Sequence, residues 1–297
     1  MNTYDNQYLD LVEDILANGM NVPCRTGNNV LTCISKQLSF DMSSGKFPIL
    51  TFRPLPFKGG RTELSAFLHG ITDKKYLQDN NCQYWNQWCN PTKIPNGLSD
   101  EERKEYQLKE RDLGNIYGFH YRHFGYDYDN YDTDYTNKGI DQLKNVVETL
   151  KTNPYDRRMI ISAWDPAHFE TQALPACLWA FTFTYAENKL HMTAEMRSTD
   201  TILGLPTDMI YCALFLKIMT QTVNMEPGLV TIHSVNCHIY DNHIDIVKEN
   251  LERWRKEQYA LPILKLNSFA TVFNFTPEMA ELINYEHGPK VSFPIAV

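Results

Sequence analysis

The sequence predicts a mixed α/β fold, and three observations carry that expectation. The opening segment has apolar residues at helical spacing, several later segments have the β-branched, alternating character of strands, and one late stretch is apolar nearly all round, as a helix buried between layers would be. At 297 residues the chain has room for one large α/β domain or two average ones. Hydrophobic residues make up 43% of it and aromatic residues 12%. That is ample apolar surface for a core, and it excludes a disordered or low-complexity chain.

Taken in order, Tyr8, Leu11, Val12 and Ile15 define the first helix, with a stop near Asn18-Gly19. Val30 to Phe40 reads as a strand, closed by the turn-prone SSGKFP. In Gly60 to Gly70 the stripe Leu64, Phe67, Leu68 has helical period, and Glu63 lies one turn before Phe67, at the edge of that buried stripe. Residues 90–111 bring Pro, Gly and Asn and then a charged run, the pattern of a surface insertion with at most one solvated helix. Tyr126 to Thr136 reads as a loop. A helix over Ile140 to Lys151 follows, then a strand over Arg158 to Trp164, then a hairpin pairing WAFTFTY with LHMTAEM through Glu187-Asn188. Met209 to Val223, with Lys217 its single charge, reads as the buried core helix. There is no internal repeat and no clean linker, so a single domain over residues 1–297 is expected.

Lys plus Arg number 28 against 36 Asp plus Glu, a net charge of -8, so a hold on nucleic acid or an anionic membrane would need a local patch. A small anionic ligand needs only two or three arginines. The seven cysteines are scattered, without a C-x-x-C pair, and suggest neither a disulfide framework nor a metal site. The N-terminus is acidic and helical in pattern, and the longest apolar run, Met209 to Leu216, is too short to span a bilayer. A soluble protein of the reducing cytoplasm is expected, the host's cytoplasm if the source is viral.

Four groups could carry chemistry. Cys177 follows a Pro-containing turn and opens a strand, where a thiol can face a cleft; equally it could be a buried small hydrophobe. Arg157, Arg158 and Arg197 lie at element ends, where guanidinium forks can hold phosphate or simply form surface ion pairs. His238 and Tyr240 are two apart on a strand, on one face with Asn236, suited to a sugar hydroxyl or to a buried pair. Asp208 precedes the apolar helix, where Asp is favoured as an N-cap.

Through PCRTGNNVL, DLGNIYGFHYRHFG, NPYDRRMIISAWDP, ALPAC, RSTDTILGLPTDM, HIYDNH and the terminal PIAV, the chain resembles the thymidylate synthase family over nearly its whole length. The resemblance implies a homodimer of α/β (α+β) subunits, each a large mixed sheet with packed helices whose sheet face forms the dimer interface. It implies a pyrimidine deoxynucleotide monophosphate and 5,10-methylenetetrahydrofolate as ligands, and no metal. Carried over by position, Cys177 is the nucleophile, Arg25, Arg197 and Ser198 hold the phosphate, and Arg157 and Arg158 reach the phosphate of the other subunit. Asp200 is a structural acid at the nucleotide and folate site, and His238 with Tyr240 hold the sugar 3'-hydroxyl. Glu63 organises water and proton transfers, Tyr117 lies near the nucleophile, Trp85 stands beside the folate, and Val297 closes over it.

The departures are informative. Where the family has Leu-Pro-Phe-Asn, with Asn reading uracil, this chain has LPTD and Asp208. An ionised aspartate only accepts, which suits the N4 amino group and protonated N3 of cytosine. Facing uracil O4 it would leave an unpaired acceptor, at roughly 1–3 kcal/mol. The deoxycytidylate hydroxymethylases of bacteriophages carry the same Asn to Asp change. Leu178, Met196, Ala66, Asn86, Asp165 and Val235-Asn236 also depart from the synthase pattern. The expected reaction is dCMP plus methylenetetrahydrofolate plus water to 5-hydroxymethyl-dCMP and tetrahydrofolate, through a Cys177 adduct at C6. The alternatives are methyl transfer to dCMP with release of dihydrofolate, or a divergent synthesis of dTMP from dUMP.

Overall fold

The computed structural model describes residues 3–24, 27 and 29–295. Its helices are α1 (Thr3–Asn18), α2 (Phe57–Leu68), α3 (Lys74–Asp79), α4 (Asp100–Lys109), α5 (Tyr117–His123), α6 (Gln142–Thr152), α7 (Gly204–Val223) and α8 (Asp241–Lys256). Its strands are β1 (Met20–Pro23), β2 (Asn29–Asp41), β3 (Ile160–Ser162), β4 (Leu178–Ala186), β5 (Lys189–Met196), β6 (Thr199–Asp200), β7 (Glu226–Tyr240), β8 (Ile263–Leu266) and β9 (Ala280–Ile283). The large sheet runs β1-β2-β7-β5-β4-β3, with β6 paired to β7, while β8 and β9 form a separate ribbon. β5 and β6 lie parallel to β7 and the other pairs are antiparallel, so the sheet is mixed, as expected.

One face of that sheet is apolar. Leu190, Met192, Ala194 and Met196 of β5 are buried, alternating with partly exposed residues. Against this face lies α7, in which Met209, Ile210, Ala213, Leu214, Phe215 and Leu216 are all buried. The other face is polar and partly exposed; there Ser35 Oγ meets His233 Nε2 at 2.8 Å, and His233 Nδ1 meets Glu195 Oε2 at 2.8 Å. The β4–β5 hairpin turns on Glu187 and Asn188, at φ 51° and 61°, the positive pair that a two-residue turn requires.

Three element boundaries differ from the sequence reading, the first two because a side chain intervenes. The expected strand over 158–164 shortens to Ile160–Ser162, since Asp156 Oδ1 takes the Arg158 backbone N–H at 2.7 Å and turns the chain there. The expected helix from Ile140 begins at Gln142, because Ile140 bridges to Phe124 and Asp141 caps the helix through Lys144 N at 2.9 Å. The core helix begins at Gly204, five residues before Met209, with Pro206 tolerated in its first turn.

All seven cysteines are free. Among the described residues no helix is long and apolar enough to cross a membrane, and no group of three or more His, Cys, Asp or Glu is placed to hold a metal ion.

Lys74 is 1% exposed, and its Nζ donates to the carbonyls of Asn86, Trp88 and Gln107 at 3.2, 2.9 and 2.5 Å. It fastens the C-terminal part of α4 to the Trp85–Trp88 turn. Lys74→Met is expected to cost about 2–4 kcal/mol of stability in chemical denaturation, since three carbonyls lose a charged donor. Lys75→Ala, which removes an exposed pair with Asp79 at 2.7 Å, should cost under about 0.5 kcal/mol.

Candidate active site

Cys177 immediately precedes β4, on a loop held from two sides. Its backbone N–H donates to Tyr117 Oη at 2.9 Å, and its carbonyl accepts from Arg197 N at 2.9 Å. The Arg197 guanidinium donates to the carbonyls of Pro175 and Ala176 at 2.7 and 2.9 Å, which leaves Nη2 3.9 Å from Cys177 Sγ. A fixed cation at that distance favours the thiolate over the thiol. The loop that presents the sulfur therefore also anchors its counter-charge.

Sγ opens on a cleft of about 1270 Å³, lined on this side by Arg197, Ser198, His238 and Tyr240. His238 Nδ1 lies 2.8 Å from the Asn236 carbonyl, so Nδ1 carries the proton and Nε2 is an acceptor. Nε2 is buried with no partner among the described residues, and the ring packs edge-on against Tyr240 at 5.1 Å. That bare acceptor suits a hydroxyl donor from a ligand. Asn236 does not share their face by simple alternation: its φ is 48°, at a break in the β2–β7 pairing between Cys33–Cys237 and Ser35–Val235, and its side chain donates to the Arg197 carbonyl at 3.1 Å. The opposite wall is apolar, with Trp88, Pro91, Leu108 and Leu174, and would accommodate a flat aromatic ligand.

Tyr117 links the nucleophile to a second cluster. Its ring stacks on Phe67 at 4.9 Å and meets Trp85 edge-on at 5.9 Å, and Trp85 Nε1 donates to Glu63 Oε1 at 2.7 Å. Burial pushes the Glu63 carboxyl up to about 7 against the pull of that indole hydrogen bond. Asp208 is raised well above the ordinary aspartate value, first by burial and then by the charges of Glu63 and Asp200. Asp200 itself ties the turn before α7, accepting from the N–H groups of Ile202 and Leu203 at 3.0 and 3.2 Å.

The capping reading of Asp208 is overturned. The helix starts four residues earlier, with Leu203 as its N-cap, so Asp208 belongs to the second turn and projects from the helix body. Burial and the Glu63 charge also shift that carboxyl toward its protonated form. A carboxyl held neutral carries a donor beside its acceptor, so it can pair with either base by hydrogen-bond count alone.

Arg157 and Arg158 are exposed and do not enter this chain's cleft; Arg158 pairs with Asp156 at 2.5 Å. Arg25 and Val297 lie outside the described residues. Residues 90–111 do more than coat the surface. α4 buries none of its residues, yet Lys104, Gln107 and Leu108 line the cleft, as does Pro91. Leu178 and Met196 prove to be cross-strand partners, both buried, so two of the departures meet as one apolar pair.

Sequence reading missed Gln172 and Tyr84. Gln172 lines the cleft and meets His120 Nε2 at 3.1 Å, ahead of Asp165 and His168, which pair at 2.8 Å. Tyr84 lies close enough to Glu63 and Asp208 to feel both charges. Its only signal was its place beside Trp85 in the aromatic run QYWNQW.

The family described as Thymidylate synthase matches residues 6–297. The chain is 34% identical, over 325 aligned positions covering 98% of this chain and 99% of the relative, to a protein of Listeria monocytogenes serovar 1/2a named thymidylate synthase. The chain belongs to the thymidylate synthase family, an enzyme family of one-carbon transfer.

A raised carboxyl binds its proton more tightly folded than unfolded, so its contribution is full below the unfolded value and fades as pH rises toward the folded one. For Asp208 that fading starts above the ordinary value of 3.8. Asp208→Asn should therefore melt higher than the parent at pH 8, and the gain should vanish near pH 4. A gain that is the same at both pH values would show that Asp208 is not held neutral.

Proposed function

We propose that this member of the thymidylate synthase family transfers a one-carbon unit from methylenetetrahydrofolate to C5 of a pyrimidine deoxynucleoside monophosphate through a Cys177 adduct, and that the base it prefers is cytosine. The feature that carries the choice of base is a carboxyl, Asp208, in place of an amide, its pKa raised by burial and by the Glu63 charge. Attack of the Cys177 thiolate on C6 sends the electron pair of the ring toward N3 in cytosine and toward O4 in uracil. O4 needs only a hydrogen bond, which an amide supplies. N3 is basic enough to take the proton outright, and a carboxylic acid can give it while its other oxygen accepts from N4.

Arg197 and Ser198, with Arg25, are assigned to the phosphate, and His238 Nε2 with Tyr240 to the sugar hydroxyl. Glu63, raised to about 7, is the base for the C5 proton. Trp85 and the apolar wall by Trp88 and Leu174 are assigned to the folate, which supplies the carbon and, in one ending, a hydride. Assembly as a homodimer through the polar sheet face would let the exposed Arg157 and Arg158 serve a neighbouring copy's phosphate. A cytoplasmic location fits seven free cysteines.

Two endings are open to the methylene left on C5. Hydride delivery, giving a methyl product and dihydrofolate, is supported by the likeness to a named thymidylate synthase and by the Trp85 indole buried beside Glu63. Hydration, giving 5-hydroxymethyl-dCMP and tetrahydrofolate, is supported by Asp208, which the cytosine hydroxymethylases share.

Turnover with methylenetetrahydrofolate and either dCMP or dUMP, read by product mass and dihydrofolate absorbance, tests the proposal. We expect kcat/KM for dCMP to exceed that for dUMP by about tenfold or more, and Asp208→Asn to reverse the preference. Cys177→Ala should lose on the order of 10³-fold or more. A parent enzyme that prefers dUMP would sink the assignment of Asp208 to cytosine.

A further inference from the structure

The nucleophile's loop is held along its length by one neighbouring segment. Leu113 O accepts from Ala173 N at 3.0 Å, Asn115 Oδ1 from Thr171 Oγ1 at 2.7 Å, and Tyr117 Oη from Cys177 N at 2.9 Å. A Cβ at Gly114, where φ is 72°, would fall 1.6 Å from the Thr171 carbonyl oxygen, so the two segments meet backbone on backbone there. The fourth contact is between side chains: Gln172 Nε2 lies 3.1 Å from His120 Nε2, and the two residues are 2% and 1% exposed. Asp165 sets its direction. Asp165 Oδ2, which meets His168 Nδ1 at 2.8 Å, stands 3.9 Å from His120 Nδ1, and a bare lone pair on that Nδ1 would face the carboxylate. Nδ1 therefore carries the proton of the neutral ring, a state that burial favours by pulling the imidazole down to about 4. Nε2 is then an acceptor, so Gln172 gives it an N–H, and Gln172 Oε1 is left with no partner among the described residues.

We propose that Gln172 is a specificity-determining residue for the folate, its Oε1 accepting from the amide N–H that joins the aminobenzoyl ring to glutamate, and that His120 is the positioning residue that aims it. The inference rests on the assignment of the folate to this cleft. Gln172 lines the cleft two residues before Leu174, in the loop that gives the apolar wall one of its members. A flat aminobenzoyl ring suits that wall, and a buried acceptor beside it is costly until a donor arrives. Methylenetetrahydrofolate offers one donor at that place. Its one-carbon bridge occupies N5 and N10, which leaves the amide as the only N–H next to the aminobenzoyl ring. Asp165, one of the departures from the synthase pattern, thereby acts on the cleft at second hand, by fixing the tautomer of His120.

The test measures, by calorimetry with saturating dCMP or dUMP, the binding of tetrahydrofolate, which carries no one-carbon unit and so does not turn over. Gln172→Met, close in volume, should raise its Kd about fivefold or more, the loss of roughly one hydrogen bond, while the Kd of the nucleotide alone stays within about twofold. His120→Leu should weaken tetrahydrofolate in the same direction, and His120→Gln, whose Oε1 can accept from Gln172, should keep it near the parent value. Tetrahydropteroate, which ends at the benzoate and has no amide N–H, should bind the parent and Gln172→Met alike. A tetrahydrofolate Kd unchanged in Gln172→Met, or an equal loss with tetrahydropteroate, overturns the proposal. So does a joint weakening of nucleotide and folate, which is what a merely structural role predicts. A parent that binds no tetrahydrofolate removes the cosubstrate assignment and this inference with it. A parent that shows the expected binding pattern yet transfers no carbon to either nucleotide would count against the reaction assignment alone.

Discussion

The close approach of α2 to α7 is the constraint on which the site depends. A Cβ at Gly60 would meet Ile210 Cγ2 at 3.2 Å and Thr207 Cγ2 at 3.9 Å, so the two helices touch almost backbone to side chain at that point. Glu63 leaves α2 one turn further on and Asp208 leaves α7 one residue after Thr207. Their carboxyls, both partly exposed, are therefore brought near each other, and the Glu63 charge raises the cost of ionising Asp208. Protonation of Asp208 relieves that cost, so the proton is held more tightly there than on an exposed aspartate.

That proton is a stability cost with a chemical use. α7 is buried along most of its length, so it cannot tilt away from Glu63 without disturbing the whole inner face of the sheet, although Asp208 itself is partly exposed. The cleft at Cys177 is organised by the contrary charge. Arg197 is immobilised by two carbonyls of the nucleophile's own loop, so its charge beside Sγ does not depend on a ligand arriving. A cleft with a fixed cation beside the nucleophile, and a carboxyl cluster reached through Tyr117, has the two kinds of group that a nucleophilic attack followed by proton transfer needs.

Much of this was legible from the residues. Periodicity located α1, α2, β2, the β4–β5 hairpin and the body of α7, because each has one apolar face or none exposed, and that is what a period reports. The misplaced start of α7 had a consequence. GLPT looks like a turn, and with the helix begun at Met209, Asp208 reads as a cap; only tertiary burial of Leu205 and Pro206 draws those residues into the first turn. The cleft-lining edge of α4 was illegible for the same kind of reason. Lys104, Gln107 and Leu108 border the cleft from a helix with no buried residue, so its pattern is that of any solvated helix. The partnership of Leu178 with Met196 lies in strand register, which no local pattern encodes.

The identity of residue 208 alone does not fix the base, because protonation state changes what a carboxyl can pair with. As an ionised acceptor, Asp208 rejects uracil through the O4 lone pairs; in the protonated form, which burial and the Glu63 charge favour, it can match uracil and cytosine equally well in the ground state. Discrimination then has to arise as the adduct forms, when cytosine N3 becomes a base that takes the proton and uracil O4 does not need it. This moves specificity from binding to the chemical step, so the two bases should differ in kcat more than in KM. It also explains why the acid must sit beside Glu63: in an open, well-solvated pocket the same side chain would be ionised, and would have no proton to give.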